Sequence, residues 1–283
     1  MLHCAEKVAP SPSLERLEAH LRQLGSVLVC FSGGTDSALV LAAAHRVLGP
    51  RAVGLTAVSP SLPARELEQA KLMAGRLGAR HEVEASHELD RPGYAANGPD
   101  RCFHCKTELY VIAEAKRQDL GLRYVLNGTN TDDLGDHRPG LRAASDAGVK
   151  SPLVELGFTK ADVRELAREL ELETWDKPAA ACLSSRIPYG TQVTPEKLAR
   201  IERFETALLD LGFRRVRVRD HGDLARIEVE AAELARLVEP DLARAVTEAG
   251  RGAGFVYVTL DLLGYRTGSH NEVLGRRVLP VIA

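Results

Sequence analysis

A chain of 283 residues has room for one large domain, or for a domain and a smaller companion, and 45% hydrophobic against 27% charged residues excludes a disordered chain. No run approaches the ~20 uncharged apolar residues of a membrane-crossing helix, and the N-terminal MLHCAEKVAPSPSLERLEAH lacks the apolar core of a secretory signal, so a cytoplasmic protein without membrane attachment is expected. Lys and Arg number 37 against 39 Asp and Glu, a net charge of −2 that argues against a general nucleic-acid binder while leaving room for a local basic patch.

In chain order, Leu14, Leu17, Leu21 and Leu24 recur at helical spacing and predict an amphipathic helix over 13–24. The apolar run SVLVCF (26–31) predicts a strand; SGGTDS then leads into ALVLAAAHRVLG, a helix ending at Gly49. Ala52 to Val58 reads as a second buried strand, Pro63 to Leu77 as a helix stopped by Gly78, and HEVEA as a third strand. A helix over 108–118, a strand over 124–126 and a helix over 160–170 follow, with the polar loop NGTNTDDLGDHRPG at the carboxyl end of the strand. Short apolar strands alternating with helices predict an α/β fold with a doubly wound parallel sheet, whose ligands bind beyond the carboxyl strand ends. The Pro/Gly/Ser-rich DKPAAACLSSRIPYGTQVTP closes this first domain, set at 1–190. A second, smaller α/β domain over 191–283 holds a helix over 196–211, alternating strands RRVRVRD and ARIEVE, a helix over 231–249 and the strand FVYVTLDL.

SGGTDS, Ser32 to Ser37, joins an apolar strand to a helix start, so open backbone N–H groups and the positive end of a helix dipole meet at one place. That combination suits a phosphate: glycine admits it closely and the Ser32 and Ser37 hydroxyls can donate. The bland alternative is a tight turn with Ser or Asp as helix cap. Neither GxxxxGK[ST] nor GxGxxG occurs. FSGGTDS after a first strand resembles the pyrophosphate loop of the N-type ATP pyrophosphatases, which activate an oxygen as an adenylate and release pyrophosphate. The resemblance implies ATP and Mg2+, with Ser32, Gly33, Gly34, Asp36, Ser37 and Gly128 at the nucleotide and Asp36 serving the chemistry. Asp132, Asp133 and Asp136 are candidates for magnesium, or equally for turn caps.

NGTNTDDLGDHRPGLRAASDAG, ACLSSRIPYGTQVT, RVRVRDHGDLARIE and YVTLDLLGYRTGSHNE together resemble the LarE-type sulfur transferases of nickel-pincer nucleotide cofactor assembly, over nearly the whole chain. The resemblance implies a small nucleotide substrate, pyridinium-3,5-biscarboxylic acid mononucleotide, whose carboxylates are adenylated and become thiocarboxylates. It implies further that Ser185, Arg186, Arg217, Arg219 and Glu205 lie at the substrate phosphate, and that the protein is a homo-oligomer. For Arg217 and Arg219, which alternate with valines on one strand face, a solvated strand face is the competing reading.

Five cysteines, Cys4, Cys30, Cys102, Cys105 and Cys182, form an odd, widely spaced set unsuited to a disulfide framework. In sacrificial members of the family the sulfur comes from a cysteine that aligns with Ala181 here, next to Cys182. Cys102 and Cys105 in RCFHCKTELY add a pair those members lack. Three cysteines, Cys102, Cys105 and Cys182, resemble the ligand set of a [4Fe-4S] cluster with one iron open to sulfur from an external sulfide donor. Zinc binding, direct thiol chemistry at Cys182 and structural cysteines stay open, with His104 kept outside the ligand set. Cys30 reads as core. The enzymatic runner-up is tRNA thiolation, with nucleic acid disfavoured by charge; the non-enzymatic one is an ATP-binding module.

Overall fold

A computed structural model of the chain describes residues 13–135, 139–178, 181–266 and 268–274, so Cys4 and Asp136 lie outside the described residues. The chain divides into two compact units: the first takes its described residues from 13–59, 64–87 and 102–178, the second from 60–63, 88–101 and 181–274.

In the first unit α1 (Leu14–Leu24) starts at Ser13, whose Oγ accepts the Arg16 N–H at 3.3 Å, and ends at Gly25. It buries Leu17, Leu21 and Leu24, each worth roughly 1.5–3 kcal/mol. Strand β1 (Val27–Cys30) lies in the middle of a four-stranded parallel sheet with β2 (Ala52–Val58), β3 (Arg80–Ala85) and β4 (Tyr124–Leu126), in the order β3-β2-β1-β4. Val27 pairs with Ala52 on one side and Tyr124 on the other. Helix α2 (Thr35–Leu48) follows β1 and is buried almost all round, from Thr35 through Ala44, apart from Asp36. A helix apolar on every side belongs in an interior. Helices α3 (Ala64–Leu77), α4 (Arg101–Asp119), whose first residue goes with the second unit, α5 (Pro139–Asp146) and α6 (Lys160–Glu169) also belong to this unit. Because β2 and β4 flank β1, the chain leaves β1 and β4 in diverging directions, and the crevice at such a switch point lies beyond Cys30 and Leu126.

Helix α4 begins at Arg101, seven residues ahead of the start expected at Glu108. RCFHCK shows no apolar period to announce a helix, yet Cys102 and Cys105 stand one turn apart in it.

In the second unit α7 (Pro195–Asp210) is capped by Thr194 with Pro195 in its first turn, and buries Leu198, Ile201, Phe204 and Leu208. Strands β5 (Val216–His221) and β6 (Leu224–Val229) form an antiparallel hairpin, turning at Gly222 with φ +76°, and β6 pairs in parallel with β7 (Tyr257–Leu260). The single helix expected over 231–249 is instead two pieces: a short turn over 234–237, then α8 (Pro240–Ala253) with Pro240 at its first position. Proline inside a helix has no N–H to donate and clashes with the preceding turn, so the break falls there.

Residues 181–190 go with the second unit, and they bring 60–63 and 88–101 with them. The Leu183 N–H donates to the Ser61 carbonyl at 2.9 Å, and the Tyr94 hydroxyl lies 2.6 Å from both Ser61 Oγ and Ser184 Oγ. Asn97, itself buried, donates Nδ2 to the carbonyls of Ile187, Pro188 and Thr191.

Candidate functional site: a pyrophosphate loop and a buried arginine group

The loop after β1 is held from within. Ser37 Oγ accepts the Ser32 N–H at 3.2 Å and donates to the Gly34 carbonyl at 3.1 Å. Gly34 is the cap residue of α2 and has no side chain to spend on the first turn, so the N–H groups there face outward without a side-chain cap. A Ser or Asp cap, the bland reading of this loop, is absent. Of the two loop glycines it is Gly33 that the fold demands: its φ is +71°, and a Cβ would lie 3.1–3.2 Å from Cβ and Cα of Ala70. Gly34 has ordinary φ, and a Cβ would meet Ser32 Oγ at 3.4 Å.

The loop after β4 packs directly on this turn. A Cβ at Gly128 would stand 2.7 Å from the Ser37 backbone nitrogen and 2.9 Å from the Asp36 carbonyl carbon, so only glycine lets the two loops approach. Both Asp36 oxygens are bonded: Oδ1 accepts from Asn130 Nδ2 at 2.9 Å and Oδ2 from Lys160 Nζ at 2.6 Å. Asp132 accepts the Lys160 N–H and Asp133 the Asn130 N–H, so both carboxylates cap backbone here. A second lysine reaches the loop from the other side, Lys177 donating to the Gly33 carbonyl at 3.3 Å and to Glu66 at 2.8 Å. Lys160, Asn130 and Lys177 were invisible as site residues in the sequence. Lys160 opens a helix through the Thr159/Asp162 capping box, which gives it an ordinary structural reason to stand where it does.

None of Cys30, Cys102, Cys105 and Cys182 is in a disulfide. Cys30 lies on β1 and packs against core side chains, and burial pushes its thiol up to about 12, which keeps it protonated. Cys102 and Cys105 belong to the first unit and Cys182 to the second. Beside the pair stands Lys106, an exposed residue of α4. Desolvation of its ammonium end pulls the titration down, but Cys105, Tyr110, Cys30 and Cys102 outweigh it, and the net shift is upward. Among the described residues no group of three or more His, Cys, Asp or Glu side chains that could hold a metal ion occurs.

In the second unit Arg186 is buried and grips Glu205 with two hydrogen bonds of 2.8 and 2.9 Å; its third nitrogen donates to the carbonyls of Ala181 and Cys182 and to Ser185 Oγ. Glu205 Oε1 also accepts the Val218 N–H, which ties α7 to β5. Arg219 pairs bidentately with the fully buried Glu228 at 2.7–2.9 Å and donates to the Ser185 carbonyl and Ser269 Oγ. Arg217 lies over the Tyr265 ring at 5.4 Å; burial, then the neighbouring Arg186, pull its guanidinium down against Glu205 and Tyr265. The five residues expected at a substrate phosphate are thus brought together, with Arg186 and Arg219 already bound to carboxylates. A solvated strand face does not describe Arg219, which is buried; Arg217 is half-buried.

The parallel sheet, the glycine turn after its central strand and the paired Asp36 define an α/β enzyme of the pyrophosphate-loop kind, which uses ATP. The family model described as asparagine synthase matches residues 15–96, which hold that turn. Over 269 residues the chain is 40% identical to the pyridinium-3,5-bisthiocarboxylic acid mononucleotide synthase of Lactiplantibacillus plantarum, covering 94% of this chain and 96% of that one. It is 45% identical over 261 residues to an uncharacterized protein of Synechocystis sp., covering 92% and 97%. It is also 27% identical over 241 residues to an uncharacterized protein of Methanocaldococcus jannaschii, covering 85% and 91%. The chain belongs to the LarE-type pyridinium-3,5-bisthiocarboxylic acid mononucleotide synthase family of ATP-dependent sulfur transferases.

Proposed function

We propose that the chain converts the carboxylates of pyridinium-3,5-biscarboxylic acid mononucleotide into thiocarboxylates, releasing AMP and pyrophosphate for each. A carboxylate oxygen attacks the α-phosphorus of ATP and pyrophosphate leaves; hydrosulfide then attacks the acyl carbon and AMP leaves with the electron pair of the broken C–O bond. The observation that carries this reading is the 40% identity across nearly all of both chains, joined to a loop whose parts suit the first step. Ser32, Ser37 and the open N–H groups of the α2 start would hold pyrophosphate as it departs. Asp36 would exchange Lys160 for Mg2+ when the nucleotide arrives, freeing the ammonium for a phosphate oxygen. Arg217, with Arg219 and Ser185, would hold the substrate phosphate, while Glu205 keeps Arg186 charged and aligned beneath them. Arg186 is then a positioning residue, its donors spent on Glu205, Ser185 and the 181 and 182 carbonyls, whereas Arg219, bonded as fully, would give up Ser269 to reach the phosphate.

The donor chemistry of Cys102, Cys105 and Cys182, three thiols and no carboxylate, fits a [4Fe-4S] cluster, which would supply an open iron for hydrosulfide from an external donor. In this reading Lys106 opposes the negative charge of the thiolates beside it. The second unit serves substrate binding and self-association. The test is anaerobic turnover with ATP, sulfide and the carboxylated mononucleotide. Substrate-dependent AMP and pyrophosphate in equal amounts, with a product heavier by the difference between sulfur and oxygen, supports the reading; ADP and phosphate, or nucleotide bound without pyrophosphate release, overturns it.

A further inference from the structure

Arg101 and His270, which sequence patterns left unremarked, adjoin the arginine group of the second unit. Arg101 is buried and donates to the Asn97 side chain and, at 3.0 Å, to the Ser184 carbonyl, both neutral acceptors. Its guanidinium stands 6.0 Å from the Tyr189 ring centre, and Tyr189 in turn lies 4.2 Å from His270, tilted by 41°. The Tyr189 hydroxyl is fixed by the Asn271 side chain at 3.0 Å. Among the described residues His270 Nε2 is buried and has no hydrogen-bond partner, an expensive state for an imidazole nitrogen.

The groups facing that imidazole are Arg101 at the start of α4, Arg186 in the 183–186 turn and Arg219 on β5, with Tyr189 against the ring. Arg186 and Arg219 are matched by Glu205 and Glu228, and Glu228 is shared further with Arg226, whereas the buried Arg101 donates to the neutral oxygens of Asn97 and Ser184. A buried guanidinium bonded to neutral oxygens, next to an imidazole nitrogen with no bond of its own, suits an anion.

We propose that Arg101 and His270 complete this anion site, which takes a phosphate monoester as its dianion, with His270 donating its orphaned Nε2–H to a phosphate oxygen. The proposal rests on the phosphate role given above to Arg217 and Arg219 and adds a third guanidinium and a neutral donor to it. His270 and Tyr189 are both half-buried side chains, so the phosphate reaches Nε2 by a side-chain shift. Burial first, then Arg101, Arg219 and Arg186, bring His270 down to about 4, so the ring is neutral when the anion arrives. Two negative charges placed beside it oppose those arginines and raise its titration midpoint.

The experiment is NMR titration of the His270 imidazole in the full chain with inorganic phosphate, the resonance assigned by its loss in His270→Gln. With saturating phosphate the midpoint should move up by about one unit or more. Arg217→Ala should abolish the shift, and Arg101→Lys, which keeps the charge but loses the fork, should weaken phosphate binding about tenfold. Phosphate that binds, by calorimetry, without moving His270 overturns the inference and leaves Arg217 its role. Absence of phosphate binding overturns both.

Discussion

Replacing Gly128 with alanine tests how closely the two loops of the nucleotide site must approach. The new Cβ would be 2.7 Å from the Ser37 nitrogen, 2.9 Å from the Asp36 carbonyl carbon and 3.0 Å from the Ser37 Cα, all backbone atoms of the α2 start. Ordinary contact begins near 3.4 Å, so the loops must separate by roughly 0.7 Å, and no side chain can rotate away to absorb it. Overpacking of that size costs about 1–3 kcal/mol of stability. The larger effect falls on catalysis. Asp36 and the phosphate-facing N–H groups move together, and a misplacement approaching an ångström costs up to about 10²-fold. Urea unfolding and a pyrophosphate-release assay on Gly128→Ala would show both. Gly75→Ala serves as the control: in α3 nothing lies within 4 Å of its Cβ, and the change should stabilise by about 0.5–1 kcal/mol with release unchanged. Gly128→Ala with full stability and full pyrophosphate release would refute the close-approach reasoning.

Lys160→Met removes one of the two partners of Asp36; the pair is partly exposed, so stability should change by at most about 1 kcal/mol, while pyrophosphate release falls about 10²-fold. Unaltered kcat would show that Lys160 only tethers the loop. Glu205→Gln leaves the Arg186 guanidinium buried without its counter-charge and should cost roughly 3–5 kcal/mol in chemical denaturation; a loss below about 1 kcal/mol would mean that solvent reaches the pair. His270 has a folded pKa of about 4, below its ordinary value, so its contribution to stability is full above about pH 6.5. It is lost as the pH falls toward 4, because the unfolded chain takes up a proton that the folded one refuses. Thermal unfolding at about pH 7.5 and about pH 5 should therefore show a smaller acid loss for His270→Gln than for the parent chain; equal losses would place the titration elsewhere, with His81 and His221, also lowered by burial, as the remaining candidates.

Where hydrophobic period and glycine punctuation spoke together, the sequence was a sufficient guide: Ala52–Val58 and Tyr124–Leu126 are the strands expected, and α2 ends at Gly49. The start of α4 was hidden because the residues that open it are cysteines, histidine and charge, which read as ligands rather than as a helix face. The 231–249 helix was read through Pro240, which alone sufficed to divide it. Local signals did not separate the two loop glycines, since the need for Gly33 comes from its left-handed backbone and from Ala70, a residue of another helix. Lys160, Lys177, Arg101 and His270 share that difficulty. Each is an unremarkable residue in its own segment, and its partner is set only by the fold. Arg217 and Arg219 were legible as a pair on one strand face, and Arg186 and Glu205 through the family resemblance, but that Glu228 and Glu205 bond Arg219 and Arg186 is set across strands and between helix and turn, distances no periodicity encodes.

The claim most worth testing is that the sulfur passes through this chain without being taken from it. Intact-mass analysis of the protein, alongside product counting after anaerobic reaction with ATP, sulfide and the carboxylated mononucleotide, addresses it directly. The account predicts several thiocarboxylates formed per chain, AMP and pyrophosphate in step with them, and a polypeptide of unchanged mass. One product per chain, with Cys182 converted to dehydroalanine and the protein lighter by hydrogen sulfide, would contradict it.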